Sequence, residues 1–550
     1  MSEEAYGEKS VESRVPETPS SSIDGMGAPG ANGGGDLPFA TTLFEAADRL
    51  RGSVESAEYK HLVLGLLFLK YVSDSYMRRR QALEAETHDE SSGVYTADDA
   101  EREAILEDRD EYAAENVFWV PPEARWDDLL ANANQSDIGS RIDRALEGIE
   151  RENPELRGVL PRIYARAPLP PAKLGELLTT IAKVGFGDSD EEARDILGRT
   201  YEYFIKTFAR HEGHRGGEFY TPASVTQLLV EMLEPFNGRV YEPAFGSAGL
   251  FIQSGRFVEE HGGQAKQLAL YGQENNQATW RIGKMNLAIH GLAGDLELGN
   301  ALLDPKHKDL RADFILANPP FNLKKWGAAQ VADDVRWKYG TPPGENANFA
   351  WIQHFIHHLA PDGRAGFVMA NGSLSEQKLG QGAIREAIVR DDIVDCVVAL
   401  PGQLFFTTPI PVCLWFLDRD KASVGERDRR DETLFIDARG MGIKISRTQI
   451  ELTPVEITKI ASTYHSWRAG DDGYADEAGF CTSASIADIE KRGFVLSPSR
   501  YVGTPDDDEE TDGEPFEEKM PRLLAELESE LTEGAKLEEL IRERLGRLGV

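Results

Sequence analysis

Asp313-Phe314-Ile315-Leu316-Ala317-Asn318-Pro319-Pro320-Phe321 decides how the rest of the chain is read. Phe314, Ile315 and Leu316 form the short apolar run of a strand buried on both faces. Asn318 then falls at the carboxyl edge of a parallel sheet, where open α/β folds keep their ligands. An exocyclic amino group that must attack a carbon needs two acceptors and a stacking surface. The Asn318 side-chain oxygen and the Pro319 carbonyl can take the two N–H bonds, and Phe321 can stack on the ring. Pro319 and Pro320 hold those carbonyls stiffly, because each fixes φ and neither donates an N–H. The plainer alternative is a strand-ending turn, since Asn and Pro are ordinary turn residues.

Upstream, Val240 to Gly249 reads as a strand, a tight turn of small residues and a helix. Gly246, Ser247, Ala248 and Gly249 let the backbone approach a ligand closely, and Glu242 can bind a charged amine. Glu274 ends the next strand and is the expected acid for ribose hydroxyls, although it lies farther on than the ~20 residues usual in dinucleotide folds. Asn300, after a further strand, can reach an adenine edge. Gly283 and Lys284 are followed by Met285, so there is no P-loop, and no Pro precedes a Cys to supply a thiol for cytosine C5. Transfer of a sulfonium methyl to an amino nitrogen needs alignment, not a covalent intermediate.

Around this site the chain alternates strands and helices from about Gly216 to Asp437. Strands are expected at Arg239–Pro243, Leu268–Glu274, Asp313–Ala317, Ala365–Ala370, Ile393–Leu400, Val412–Leu417 and Leu434–Asp437. The expected fold is therefore α/β, a doubly wound, mostly parallel sheet. Between Asn275 or Asn276 and Gly291 lies a helix whose Ile282, Met285 and Ile289 share a face. From Leu43 to Asp74 apolar residues recur at helical spacing, broken near Gly52, and an acidic stretch from Glu84 to Glu115 reads as exposed helix or loop. The expected layout is a disordered tail over 1–37, a helical domain over 38–208 and the α/β domain over 209–455. A helix and turn region over 456–505 follows, then an acidic linker and amphipathic helix over 506–550, suited to packing or to a partner.

The 550 residues include 94 acidic and 60 basic side chains, a net charge of −34. A protein that grips DNA by itself carries a basic face. Either the acidity solvates surfaces away from the site in high salt, or a partner supplies most of the phosphate contacts. Lys306, Lys308, Arg311, Lys324 and Lys325, with Trp326, flank the site and can reach phosphates. The three cysteines form no disulfide framework or zinc knuckle, and no apolar run spans a bilayer, which points to the cytoplasm and away from membranes. His354, His357 and His358 imitate metal-ligand spacing but lack a companion HExxH or Cys pair, so no metal site is expected and they read as a polar helix face.

Gly216-Gly217-Glu218-Phe219-Tyr220-Thr221-Pro222, the Glu242–Gly249 turn, Tyr271–Glu274 and Asn318–Phe321 together resemble the modification (M) subunit of type I restriction-modification systems, an adenine-N6 DNA methyltransferase. The likeness extends to Ala57–Asp74, Leu400–Leu417, Phe435–Arg447 and Gly493–Gly503. It implies a methyltransferase-type sheet, S-adenosyl-L-methionine as cofactor, duplex DNA as substrate, and a separate specificity (S) subunit bound by two M subunits, with a restriction (R) subunit as a further partner. Carried onto this chain, Glu218, Phe219, Tyr220, Thr221 and Pro222 line the methionine part of the cofactor. Ser247, Ala248 and Gly249 border it, Glu274 holds the ribose, and Asn318, Pro319 and Phe321 form the base site. Glu242 stands where Asp is usual and Asn300 where an acid is common; Glu keeps the charge and Asn keeps an acceptor. The rival readings are an RNA or protein-glutamine amino methyltransferase, and a non-catalytic scaffold of a defence complex.

Overall fold

Seven of the strands take part in parallel pairs, five of them in one contiguous run whose paired members are separated in sequence by helices. The computed structural model describes residues 38–52, 54–183, 190–212, 220–405, 409–422, 427–471, 473–503, 520–525, 531–532 and 536. The expected amino-terminal tail, Glu218, Phe219 and most of 506–550 lie outside the described residues.

In chain order the strands are β1 (Gly238–Glu242), β2 (Leu268–Glu274), β3 (Gly294–Leu298), β4 (Ala312–Ala317), β5 (Leu359–Ala370), β6 (Val394–Ala399), β7 (Val412–Asp418), β8 (Glu432–Asp437), β9 (Ile443–Ser446), β10 (Gln449–Glu451) and β11 (Cys481–Ser485). Nine of them make one sheet in the order β11-β8-β6-β7-β5-β4-β1-β2-β3. β7 runs antiparallel between β5 and β6, and β11 runs antiparallel to β8. All seven expected strands form. The stretch 456–505 departs from the helix-and-turn expectation, because Cys481–Ser485 adds the edge strand β11. Its alternation of small polar side chains is too weak a strand signal to read alone.

The two faces of the sheet carry separate cores, as the two-residue period of a strand requires. Val240, Leu270, Phe314, Leu316, Val398 and Leu414 face one side, where the helices Ala223–Leu233, Gly249–Glu260 and Pro454–Ala469 pack. Tyr241, Ile315, Ala317, Phe367, Val397 and Trp415 face the other, under Asn348–His358 and Gln381–Arg390. Covering both faces explains why β4, β6 and β7 read as unbroken apolar runs.

The amino-terminal helices Pro38–Leu50 and Ser56–His88 are separated at Gly52, whose φ of +60° suits glycine. Their core is distinct, built on Leu62, Leu66, Phe68 and Leu69 with Trp126, Leu146, Leu178 and Phe204. Ile282, Met285 and Ile289, the shared face of the helix Gln277–Ile289, belong to this core and not to the sheet. Each such buried side chain contributes roughly 1.5–3 kcal/mol. That helix, capped by the Asn276 side chain at Ala278 and Thr279 N–H, therefore joins the helical region to the sheet.

A buried ion network joins the helix Pro454–Ala469 to the sheet. Arg429 contacts Asp395 at 3.2 Å and Asp418 at 2.8 Å, Arg468 contacts the same two carboxylates at 3.5 and 3.2 Å, and Tyr464 donates to Asp395 at 2.7 Å. Among the described residues no helix is long and apolar enough to cross a membrane.

Candidate functional site

β1, β2 and β4 end side by side, so the turns that follow them meet at one sheet edge and surround a cavity of about 670 Å³. This volume lies in the ordinary range for a small-molecule site. Tyr220, Thr221, Glu242, Gly246, Ser247, Gly249, Glu274, Asn300, Asn318 and Pro320 all border it. Sequence reasoning selected these residues from segments scattered over a hundred positions, and the fold brings them together.

The turn after β1 is shaped by its small residues. Gly246 (φ +54°) and Ala248 (φ +66°) are both left-handed, and a Cβ added at Gly246 or Gly249 would meet nothing within 4 Å. The Glu274 carboxylate holds the turn in place, accepting from Gly246 N–H at 3.1 Å and Asn276 N–H at 2.8 Å. Ala248 is buried and Pro222 starts the helix Ala223–Leu233; neither borders the cavity.

Two buried acceptors face this space without a protein partner among the described residues. Glu242 is 3% exposed and its Oε2 accepts no hydrogen bond. Burial, with the nearby Glu274 charge, holds its carboxyl well above the usual carboxylate range. Asn318 is 7% exposed; its Nδ2 donates to Thr221 Oγ1 at 2.9 Å, and its Oδ1 is unpartnered. An unmet buried acceptor costs roughly 1–3 kcal/mol, so both positions suit a ligand that donates.

Pro319 is buried and does not border the cavity, while Phe321 is half-buried and packs against the core under the first helix face. Beyond Phe321 the chain turns through Asn322 (φ +59°) and Lys325 (φ +54°). Bonds from Asn322 N–H to Asn348 Oδ1 (2.7 Å) and from Lys325 N–H to Gly344 O (3.0 Å) hold this turn. Leu323, Lys324, Lys325 and Trp326 thereby border the cavity, with Trp351 opposite in sequence terms on Asn348–His358. Lys324 and Lys325 are exposed, whereas Lys306 is paired with Asp304 and Arg311 donates to Leu310 O.

Asn300 departs from the acceptor expected of it. Its Oδ1 accepts from Leu302 N–H at 3.0 Å and Leu303 N–H at 3.1 Å, closing the turn after β3. A short amide in a turn bonds its own backbone, so a donor is what it offers a ligand.

The histidines are not a polar surface. His354 and His358 are buried, with His354 Nε2 at 3.1 Å from the Tyr241 hydroxyl and Nδ1 accepting from Arg336 at 2.9 Å. Burial pushes His354 well below the usual imidazole range and His358 down to about 3. Arg336 also donates to Ala301 O and Leu302 O, fixing the same turn as Asn300. Among the described residues no group of three His, Cys, Asp or Glu is placed to hold a metal.

Several wall residues were not anticipated, four polar or aromatic ones among them. Lys60 and Glu202 come from the amino-terminal helices, Arg256 from Gly249–Glu260 and Trp351 from Asn348–His358. No local pattern marks them, because their role arises only where separate helices pack.

The family model described as N-6 DNA Methylase matches residues 192–510, and that described as HsdM N-terminal domain matches 39–181. The chain is 44% identical over 450 residues to the methylase subunit of type I restriction enzyme HindI from Haemophilus influenzae, covering 78% of this chain and all of that one. It is 40% identical over 519 residues to the MjaIX methylase subunit of Methanocaldococcus jannaschii, covering 93% and 91%. The crystal structure of a type I restriction-modification methyltransferase subunit from Streptococcus thermophilus superposes with a TM-score of 0.68 at 26% identity, covering 84% of this chain and 98% of that one.

Proposed function

The chain belongs to the N-6 DNA methylase family, among the methylase subunits of type I restriction enzymes, and from that membership we infer that it methylates N6 of adenine in duplex DNA with S-adenosyl-L-methionine as donor, at sites chosen by a separate specificity subunit. The observation that carries the reading is the unpartnered Oδ1 of Asn318 on the wall of a cavity that also holds the unpartnered Oε2 of Glu242.

The residues fit that cofactor by their chemistry. Glu242 offers a buried acceptor to the amino group of the methionine end, and the open Cβ positions of Gly246 and Gly249 let the backbone lie against the nucleoside. Glu274, held at the turn by Gly246 and Asn276 N–H, is the carboxylate on the cavity wall assigned to the ribose hydroxyls. Asn300, with its oxygen engaged, donates from its amide nitrogen to an adenine ring nitrogen. When bound, the cofactor supplies an electrophilic methyl on a sulfonium.

For the target base, Asn318 Oδ1 accepts one N6 hydrogen; the Pro319 carbonyl, from a residue that does not itself line the cavity, is assigned the other, and together they aim the nitrogen lone pair at the methyl. Holding the reactants in line lowers the barrier by several kcal/mol. Phe321 supplies the stacking face after a side-chain rotation from its packed position; Trp326 and Trp351 add aromatic surface. Glu218 and Phe219 complete the methionine end, with Tyr220 and Thr221 continuing that wall; Ser247 borders the cofactor, while Pro222 and Ala248 act only by shaping the backbone of their turns. The layout proposed for the chain is the helical domain 38–208, the methyltransferase domain 209–455, a carboxyl-terminal region 456–505, and a stretch 506–550 that supplies partner contacts.

With a net charge of −34, the subunit leaves most phosphate contacts to the specificity subunit in an assembly of two M chains and one S chain. A restriction subunit joins the same assembly, and the location is cytoplasmic. The test combines the chain, its specificity subunit, duplex DNA and methyl-labelled cofactor, followed by digestion to nucleosides. Label in N6-methyladenine is expected; label only in RNA or protein, or none, overturns the reading.

A further inference from the structure

Asn286, in the last turn of Gln277–Ile289, is 1% exposed and borders the cavity. Its Nδ2 donates to Ser247 O at 2.9 Å. A carbonyl oxygen only accepts, so that contact fixes the amide with its nitrogen toward Ser247 and its oxygen elsewhere. Oδ1 has no hydrogen-bond partner. Among the described residues, three that border the cavity carry a buried acceptor left open in this way: Glu242, Asn286 and Asn318. The first and last have been given work; Asn286 has not. A buried acceptor is costly to leave unmet, which marks it for a ligand that donates.

What Asn286 holds also tells where it lies. The turn after β1 is tied at two consecutive residues, Gly246 N–H by Glu274 and Ser247 O by Asn286. Gly283, one helical turn back, has its Cβ position 2.9 Å from Gly246 O, so the helix lies against this turn at both places. The sheet order β4-β1-β2-β3 spreads the polar groups along one edge. Asn318 follows β4, Glu242 ends β1 with Ser247 and Asn286 at its turn, Glu274 ends β2, and Asn300 follows β3. The hydrogen donors of the methyl donor are an ammonium, two ribose hydroxyls and an adenine amine. Glu274 and Asn300 take the nucleoside toward β2 and β3, which leaves the ammonium at β1. It carries three N–H groups, and away from water each needs an acceptor, more than Glu242 supplies from one side.

We propose that Asn286 is a residue of the methyl-donor site: its Oδ1 accepts from the ammonium of the donor's amino-acid end while its Nδ2 holds the Ser247 carbonyl and with it the turn that borders the donor. This rests on the methyl-donor reading above. An amide suits both tasks at once. A leucine of similar size does neither, and an ionised aspartate sets an oxygen against the Ser247 carbonyl.

Calorimetric titration of the full chain tests this with S-adenosylhomocysteine and its analogue lacking the α-amine. Wild type is expected to prefer the amine-bearing ligand. In Asn286→Leu both ligands weaken because the turn loosens, and the preference for the amine should itself fall about tenfold, the loss of one hydrogen bond to a charged group. That change of preference is what a purely structural Asn286 does not produce, since a looser turn weakens both ligands alike. A crystal structure of the wild-type chain with S-adenosylhomocysteine adds a readout free of variants: the amine nitrogen is expected about 2.7–3.2 Å from Asn286 Oδ1. Equal weakening of both ligands in Asn286→Leu, unchanged binding of both, or a bound amine out of reach of Oδ1 overturns the role of Asn286. Failure of wild type to bind either ligand overturns the methyl-donor reading as well.

Discussion

Asn318 Nδ2 donates to Thr221 Oγ1 at 2.9 Å across 97 positions of sequence. This bond sets which way round the amide lies and leaves Oδ1 as the acceptor toward the cavity. Asn318→Ala should lower the methylation rate about a hundredfold to a thousandfold, as for removal of a preorganised polar group. Thr221→Val frees the amide to rotate and should lower kcat about tenfold, while Thr221→Ser restores it. Single-turnover methylation of a duplex by the assembled enzyme measures all three; an Asn318→Ala enzyme with wild-type turnover contradicts the assigned role.

Glu242 joins function to a stability penalty. Its carboxyl, ordinarily near 4.5, is raised by burial and by Glu274. Between the ordinary and raised values the folded protein holds the proton more tightly than the unfolded chain, so this group's contribution to stability declines as pH rises. Glu242→Gln should therefore raise the ligand-free melting temperature more at pH 8 than at pH 5. A cationic amine favours the ionised carboxyl, so cofactor affinity should rise with pH through the free-protein titration and binding should release a proton. Titration calorimetry in buffers of different ionisation enthalpy reads that proton; its absence, or unchanged affinity in Glu242→Gln, contradicts the assignment.

Gly283 lies against the cofactor turn. A Cβ there would stand 2.6 Å from Phe245 Cε2 and 2.9 Å from Gly246 O. Gly283→Ala gains ~1 kcal/mol of helix propensity, but overpacking costs roughly 1–3 kcal/mol and presses on the backbone that borders the nucleoside. The expected result is a several-fold weaker cofactor with little net change in melting temperature, read by calorimetry and thermal denaturation together.

Asp395 sits between two buried guanidinium groups. Their charge holds its carboxyl below the ordinary range despite its burial, while burial and the neighbouring Asp395 push Asp418 up to about 6. Asp395→Asn leaves Arg429 and Arg468 to share Asp418, and breaking such a buried network costs about 3–5 kcal/mol. Urea denaturation at pH 7 measures it, and a change below 1 kcal/mol would show the network to be replaceable.

Both ring nitrogens of His354 are engaged, by Tyr241 and Arg336. Methylation should proceed undiminished after exhaustive treatment with EDTA. A loss restored by zinc would reverse that expectation.

Some of this architecture is local enough to read from residue order. β4 and the Asn-Pro-Pro-Phe run after it, the small-residue turn from Gly246 to Gly249, and the Asn276 cap are written in neighbouring residues. Backbone sterics, strand periodicity and short-range hydrogen bonds act within a few positions. Glu242, Glu274 and Asn318 could therefore be selected before any fold was known. Cys481–Ser485 escaped because a short, polar edge strand is stabilised by its partner β8 and not by its own pattern.

Tertiary structure alone decided which atoms of those residues are available. Asn300 turned its oxygen to its own backbone, Phe321 packed against the core, and His354 went inside to meet Arg336. Lys60 and Glu202 reached the cavity from helices far away in sequence. Such outcomes depend on which side chains meet when separate elements pack and on which polar atoms are already satisfied when they do. Residue order thus determined the chemistry this protein carries, and packing determined which groups are free to perform it.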